Sequence, residues 1–197
     1  MSKGDETRER ILDWAFRTAS RDGLEGLSIG GLAAELGLSK SGLFAHFGSK
    51  EDLQIAVLQS AAKRYQDVVV APALRAPRGT VRLRKWFENW IRWLNDPSVP
   101  GGCIFLAAVT ELDDREGRPR DFLVASQREL LTAMAKAARL AVEGGQFRKD
   151  LDCDQLAFEI YGIVAACSHS KRLLRDHDAD KRARTAFERL LTYAESS

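Results

Sequence analysis

The chain has 197 residues, 45% hydrophobic and 29% charged, with 30 Lys and Arg against 28 Asp and Glu and a formal net charge of +2. That length suits one or two domains with real cores, and the mixture excludes gross disorder and collagen-like repeats. No run free of Asp, Glu, Lys and Arg is long enough to span a bilayer, Gly101–Thr110 and Ile160–Ser170 included, and the charged first ten residues leave no signal-peptide core.

From Asp5 to Asp22, Ile11, Leu12, Ala15, Phe16 and Ala19 recur on one face of a 3.6-residue period, predicting a helix that Gly23 and Gly26 end. Ser28 is a good N-cap for a short helix over 29–36, with Gly37 as its stop. Ser39 caps another to about Phe47, before Gly48. Ser49-Lys50-Glu51-Asp52 opens a further helix to about Val70, an acid following the Ser cap by three positions. Pro72, Pro77 and Gly79 predict a bend, then a helix from about Thr80 to Asn95 striped with Leu83, Trp86, Phe87, Trp90, Ile91 and Leu94. Cys103–Leu112, almost wholly apolar, reads as a buried helix. Gly117 and Pro119 predict a turn, followed by helices over 121–143, from 152 or 154 to about 175, and over 179–194. The fold class is all-α, with about nine helices and no convincing strand. The expected division is a small cap-rich part, residues 1–50, and a larger helical body, residues 51–197, with a boundary near 50 to 70.

Residues 28–50 carry the most information. Two short Ser-capped helices joined by a tight Gly-Leu turn are what a helix-turn-helix needs, its second helix entering the major groove. That helix presents Lys40, Ser41, Gly42 and His46, and no acid occurs from Leu36 to Lys50. Its capped N-terminus adds a positive dipole end and free backbone N–H groups suited to phosphate. Residues 1–50 hold seven basic and seven acidic residues, all seven acids lying before Leu36, so placement and not net charge is the signal.

The run Leu-Ser-Lys-Ser-Gly-Leu-Phe-Ala-His-Phe-Gly-Ser-Lys-Glu-Asp-Leu, Leu38 to Leu53, with Gly26-Leu27-Ser28-Ile29 and Leu32-Ala33-Ala34-Glu35-Leu36-Gly37 before it, resembles the DNA-binding signature of the tetracycline-repressor (TetR) family. The resemblance covers roughly residues 5 to 60. It implies a homodimer that binds a palindromic operator and releases it when a small effector enters the helical body. Ser28 matches a phosphate-contacting cap, and Lys40, Ser41 and Gly42 match positions that read base edges or nearby backbone. His46 and Lys50 match phosphate-contacting positions. Phe44 departs from the family's usual Tyr, and Gly42 from a frequent Thr, each removing a hydroxyl contact of about 1 kcal/mol.

In the body, Trp86, Trp90 and Trp93 fall at i, i+4 and i+7. They read equally as core or, with Phe105, Phe158 and Tyr161, as the wall of an effector pocket. Glu111 reads as solvated or paired, or, if turned inward, as a partner for a cationic effector. Arg75, Arg78, Arg82, Arg84 and Lys85 form either a solvated face or a second DNA-facing patch. Leu156, Ile160, Ile163, Val164 and Cys167, and Ala183, Ala186, Phe187, Leu190 and Leu191, give the last two helices apolar faces for a homodimer interface or for internal packing. No catalytic or cofactor motif is present: G-x-S-x-G, P-loop and dinucleotide fingerprints are missing from the sequence, and Ser168-His169-Ser170 points to different helix faces. His169 and His177 are eight apart, and Cys103, Cys153 and Cys167 are scattered, so neither a metal nor a disulfide is expected.

The expectation is therefore a cytoplasmic, homodimeric, ligand-responsive repressor, not an enzyme, that needs no cofactor or metal and touches no membrane. Its partners are double-stranded operator DNA and a small, largely apolar effector. An all-helical enzyme or a protein-binding adaptor using the aromatic cavity stands as the alternative.

Overall fold

Where the helical pattern breaks decides the architecture. The computed structural model describes residues 3–195, and every regular element among them is helical. They are α1 (Lys3–Asp22), α2 (Ile29–Leu36), α3 (Lys40–Phe47), α4 (Lys50–Tyr65), a π-helical turn (Gln66–Val70), α5 (Ala71–Leu74), α6 (Thr80–Leu94), α7 (Ile104–Leu112), α8 (Arg118–Glu143), α9 (Cys153–Arg172) and α10 (Ala179–Glu195). Because α4, the π turn and α5 follow without interruption, the described residues form nine separate helices. No helix among them is long and apolar enough to cross a membrane.

Two prolines act differently from the sequence expectation. Pro72 has no N–H for the Val68 carbonyl, and its ring crowds that carbonyl. The helix answers by widening instead of stopping: Ala71 N–H donates five residues back, to the Gln66 carbonyl. The buried Asn89 side chain donates its Nδ2 to the Val69 carbonyl at 3.0 Å. The bend falls after Leu74, at Pro77 and Gly79. Pro119 sits inside the first turn of α8, where a missing N–H costs nothing because those donors have no helical acceptor.

The chain forms two compact units: residues up to Arg64 with Asp96–Ala125, and Tyr65–Asn95 with Ser126 onward. The N-terminal part therefore does not close at residue 50. It takes back a later segment that includes α7.

In the first unit Ile11, Ala15, Phe16 and Ala19 of α1 are fully buried with Leu24, Leu27, Leu32, Leu43, Leu53, Val57 and Leu58. The returning segment is tied to the end of α1, where Gly101 N–H donates to Ser20 Oγ at 3.2 Å. Arg64 reaches Asp13 at 3.0 Å and lies over the Phe16 ring.

In the second unit α6 buries Leu83, Trp86, Phe87, Asn89, Trp90, Ile91, Trp93 and Leu94. Phe87 stacks flat on Phe187 of α10, centroids 4.0 Å apart. Ion pairs flank that stack, Arg184 to Glu88 at 2.9 Å and Arg84 to Glu188 at 2.7 Å. Asp180 gathers Lys171, Asn95 and the Cys167 thiol. Burial pushes the Asp180 carboxyl up, but those three hydrogen bonds and the Lys171 charge outweigh it and hold it below its usual value. Burial, followed by the neighbouring Asp180, raises the Cys167 thiol to about 11.

Candidate functional site

The helix-turn-helix is built almost entirely from caps. Ser28 Oγ accepts the Gly31 N–H at 2.9 Å and starts α2. The helix ends at Gly37, whose φ of 64° is open to glycine at little cost. Leu38 N–H then donates to the Ala33 carbonyl at 2.8 Å, so two orphan carbonyls are satisfied within a turn too short to let α3 wander. Ser39 Oγ accepts the Gly42 N–H at 3.0 Å to start α3, and Gly48 N–H closes it on the Phe44 carbonyl at 2.7 Å. Ser49 Oγ accepts the Asp52 N–H at 3.0 Å as the cap that launches α4 and donates its own proton to the Asp52 carboxylate. The Asp52 carboxyl is held below its usual range first by Ser49 and then by Arg118.

Only Leu43 and Phe47 of α3 are buried. Ser28, Lys40, Ser41 and Phe44 are exposed, while Gly42, His46 and Lys50 are half-buried. Lys40, Ser41 and Phe44 share the outward side of α3, Phe44 being 48% exposed. Ser41 Oγ lies 3.1 Å from the cap hydroxyl of Ser39. A Cβ at Gly42 would meet nothing but that same Ser39 hydroxyl, so the outward side there is bare backbone. The stem of Lys40 passes close to Gly30 at the start of α2.

Lys50 is not idle. Its ammonium donates to the Glu25 carbonyl at 3.0 Å and to the Glu25 carboxylate at 3.1 Å. Glu25 also accepts from Gln54 and pairs with Arg115 at 2.8 Å. The Lys50 hydrogen bond, ahead of the other two partners, holds the Glu25 carboxyl below its usual value despite some burial.

Glu111 supports the same turn. Its carboxylate accepts the backbone N–H of Leu24 at 3.2 Å and of Glu25 at 2.9 Å. Gly23, at φ 83°, leaves room for it: a Cβ there would overlap the carboxylate. Glu111 is thus spent on backbone donors of the α1–α2 turn, which removes it as a candidate for a cationic effector. Sequence reading missed Glu25 and this use of Glu111 because the partners lie 25 and 86 positions away, beyond any periodic signal.

Of the aromatic residues proposed for a pocket wall, the structure brings Trp90 and Tyr161 into contact, with Trp86 one turn before Trp90 on α6. Trp86 and Trp90 are 1% and 2% exposed, and Tyr161 meets Trp90 at 6.2 Å in a tilted edge contact. Tyr65, not singled out from the sequence, meets Trp90 at 5.6 Å and Trp93 at 5.9 Å, both edge-on. Phe158 stands off the buried stripe of α9 and is 64% exposed, and the buried Phe105 belongs to α7 in the other unit. The faces of α9 and α10 offered for a dimer interface are largely consumed inside the protomer. Leu156, Ile160, Val164, Cys167, Ala183, Phe187 and Leu191 are all buried, because α9 and α10 pack against each other, with Phe187 also stacked on Phe87. Exposed apolar residues of the same two helices are Phe158 and Tyr193, with Leu173 and Leu174 just past α9. In the basic cluster, Arg84 is bound to Glu188 and Glu195, and Arg82 donates to the Ala76 carbonyl.

The chain matches two family models: "Bacterial regulatory proteins, tetR family" over residues 11–57, and "Tetracyclin repressor-like, C-terminal domain" over 79–187. Over 67 residues it is 36% identical to the HTH-type transcriptional repressor AcnR of Corynebacterium glutamicum, a match spanning 34% of this chain and about a third (36%) of that one. It is 24% identical over 150 residues to the uncharacterized HTH-type transcriptional regulator YezE of Bacillus subtilis, covering 75% of this chain and 76% of that one. Among solved structures, a TetR transcriptional regulator from Chloroflexus aurantiacus superposes with a TM-score of 0.85 at 28% identity, covering 98% of this chain and 96% of that one. AibR in complex with isovaleryl coenzyme A and operator DNA shares the fold at a TM-score of 0.74 and 21% identity, covering 96% and 99%. The two models lie in order along the chain, the first on the helix-turn-helix and the second on more than half its length. The protein belongs to the TetR family of bacterial transcriptional regulators.

Proposed function

We propose that this regulator is a homodimeric repressor that holds a palindromic operator through paired α3 helices and lets go when a small effector binds in the helical body. The observation that carries the DNA half is α3 itself. It is capped by Ser39, free of acids, and shows Lys40, Ser41 and Phe44 to solvent beside the exposed cap Ser28. Lys40 and the capped helix ends at Ser28 and Ser39 supply phosphate contacts, while Ser41 and the bare backbone at Gly42 approach the base edges. Phe44, without a hydroxyl, gives apolar contact in place of a phosphate hydrogen bond, as against a thymine methyl. His46 and Lys50 stand on the flank, with Lys50 reaching phosphate only by leaving Glu25. Operator contacts belong to residues 1–50, and effector and partner contacts to residues 51–197.

The effector half rests on Trp86, Trp90 and Tyr161 of the second unit. Relatives of the same fold carry small molecules, isovaleryl coenzyme A in AibR and choline in a Saccharomonospora viridis regulator. The dimer half rests on the exposed Phe158 and Tyr193 of α9 and α10, with two-fold symmetry setting two recognition helices about 34 Å apart on one face of DNA. Binding shifts a two-state equilibrium toward a spacing that does not fit the operator.

A gel shift with the DNA upstream of the chain's own gene tests this reading. Sharp, competitor-resistant retardation by a dimer, reversed by an effector, is expected. Retardation that does not distinguish this DNA from random duplex defeats it, and so does operator affinity that a saturating body ligand leaves unchanged.

A further inference from the structure

Trp86 and Trp90 sit one turn apart on α6, so their indoles share a face of the helix. Both are buried to within 2% of complete exclusion from solvent, yet neither indole Nε1 has an acceptor among the described residues. An indole N–H only donates, and a donor out of water without an acceptor is costly enough that native interiors seldom keep one. Two on one helix face call for an acceptor from outside the chain.

The surroundings narrow what brings it. Tyr65 and Tyr161 meet the Trp90 ring from two elements, giving flat apolar walls. Among the described residues of this unit the buried polar side chains Asn89 and Ser168, and the buried Gln127 Oε1, are all neutral. No carboxylate among its described residues is buried, and the half-buried Asp180 is already bound to Lys171 and Asn95. A cation entering here meets ring faces that attract it but no buried carboxylate among the described residues, whereas a carbonyl or carboxylate oxygen meets indole donors directly.

We propose that the Trp86 and Trp90 indole N–H groups are the polar contacts of the effector site, and that they select an apolar compound bearing a carbonyl or carboxylate oxygen over a cationic one. This rests on the effector reading above and gives that site its ligand class.

Calorimetry on the full chain with hexanoate, methyl hexyl ketone and hexyltrimethylammonium tests it. The expected result is binding of one or both oxygen probes, with the ammonium at least about tenfold weaker, the factor that one hydrogen bond of about 1.4 kcal/mol supplies. In a proton–nitrogen spectrum of the unaltered protein, two of the four indole N–H signals move downfield with the bound oxygen probe. Trp86→Phe and Trp90→Phe each weaken it about tenfold. The proposal is overturned if the ammonium binds as well as the oxygen probes, if neither oxygen probe binds, or if binding leaves all four indole signals in place. The spectrum decides even if a variant fails to fold. An oxygen probe that binds in this way without releasing operator leaves the ligand class standing and defeats the effector reading. An ammonium compound that alone binds and releases operator does the reverse.

Discussion

Helix α3 buries two of its eight residues and takes its ends from the neighbouring Ser39 and Gly48, whereas α6 buries eight of fifteen and starts at Gly79, its first N–H accepted by the distant Gln146. The first is held at its ends and by two anchors, leaving a face for another molecule. The second is held chiefly by what it buries, and its ends are met by Gln146 at Thr80 and by Asn95 on the Ile91 carbonyl. A recognition helix needs a bare outward side, so its geometry has to come from caps and the turn before it. A core helix spends its surface on packing, and an unmet polar group inside it stands out.

The largest effect expected from this contrast belongs to the second unit: Phe187→Ala removes a ring stacked on Phe87 and is expected to cost about 3–5 kcal/mol in denaturant unfolding. A loss below about 1 kcal/mol would show that α6 does not depend on its packing. Ser39→Ala removes the α3 cap and is expected to cost about 1 kcal/mol and to weaken operator binding beyond that loss of stability, measured by anisotropy. Stability loss with unchanged binding would separate the cap from the DNA face.

Smaller effects distinguish the two lysines. Lys40→Ala is expected to lower the slope of log affinity against log salt by about one phosphate contact, while Lys50→Ala changes it less, because Lys50 starts bound to Glu25. Glu25→Gln is expected to raise the slope by freeing Lys50. An equal drop for both lysines would mean that the Glu25 pair opens without cost on DNA.

The pair also has a pH signature. Since the folded Glu25 carboxyl lies below its ordinary value, its stabilising contribution is complete above the ordinary carboxylate range and is lost only as pH falls through the lowered value. A carboxyl-resolved titration is expected to show that low midpoint and to find it higher in Lys50→Ala. The smallest effect is chemical. With burial and Asp180 lifting the Cys167 thiol to about 11, it is expected to react with a disulfide reagent at about pH 8 only after unfolding.

Much of the first unit was legible because its signals are local. Ser28, Ser39 and Ser49 each cap the helix just after them, Gly37 ends α2, and Leu43 and Phe47 sit one turn apart. The exposure of Lys40 and Ser41 comes from that same spacing, whereas Phe44, which reads as a structural residue, stands exposed, and Gly42 and His46 are half-buried. What was not legible depends on partners distant in sequence. Nothing local to Lys50 shows that Glu25 holds it, and nothing local to Glu111 shows that it bonds the α1–α2 turn. Pro72 reads as a break, yet Asn89 supplies a donor to the Val69 carbonyl where the helix widens.

By itself the sequence determined the all-helical class, the caps and turn of the helix-turn-helix, and its acid-free second helix, since periodicity and capping act within a few residues. Tertiary structure alone decided how apolar faces are used. The stripes on α9 and α10 suit a partner or a core equally well in the sequence; in the fold α9 and α10 pack on each other and leave Phe158 and Tyr193 outside. The Trp86–Trp90 stripe suits wall or core in the sequence, and folding buries both indoles without giving their N–H groups an acceptor among the described residues. Which surface an apolar face meets depends on every other face competing for it, and that competition is settled only when the chain is folded.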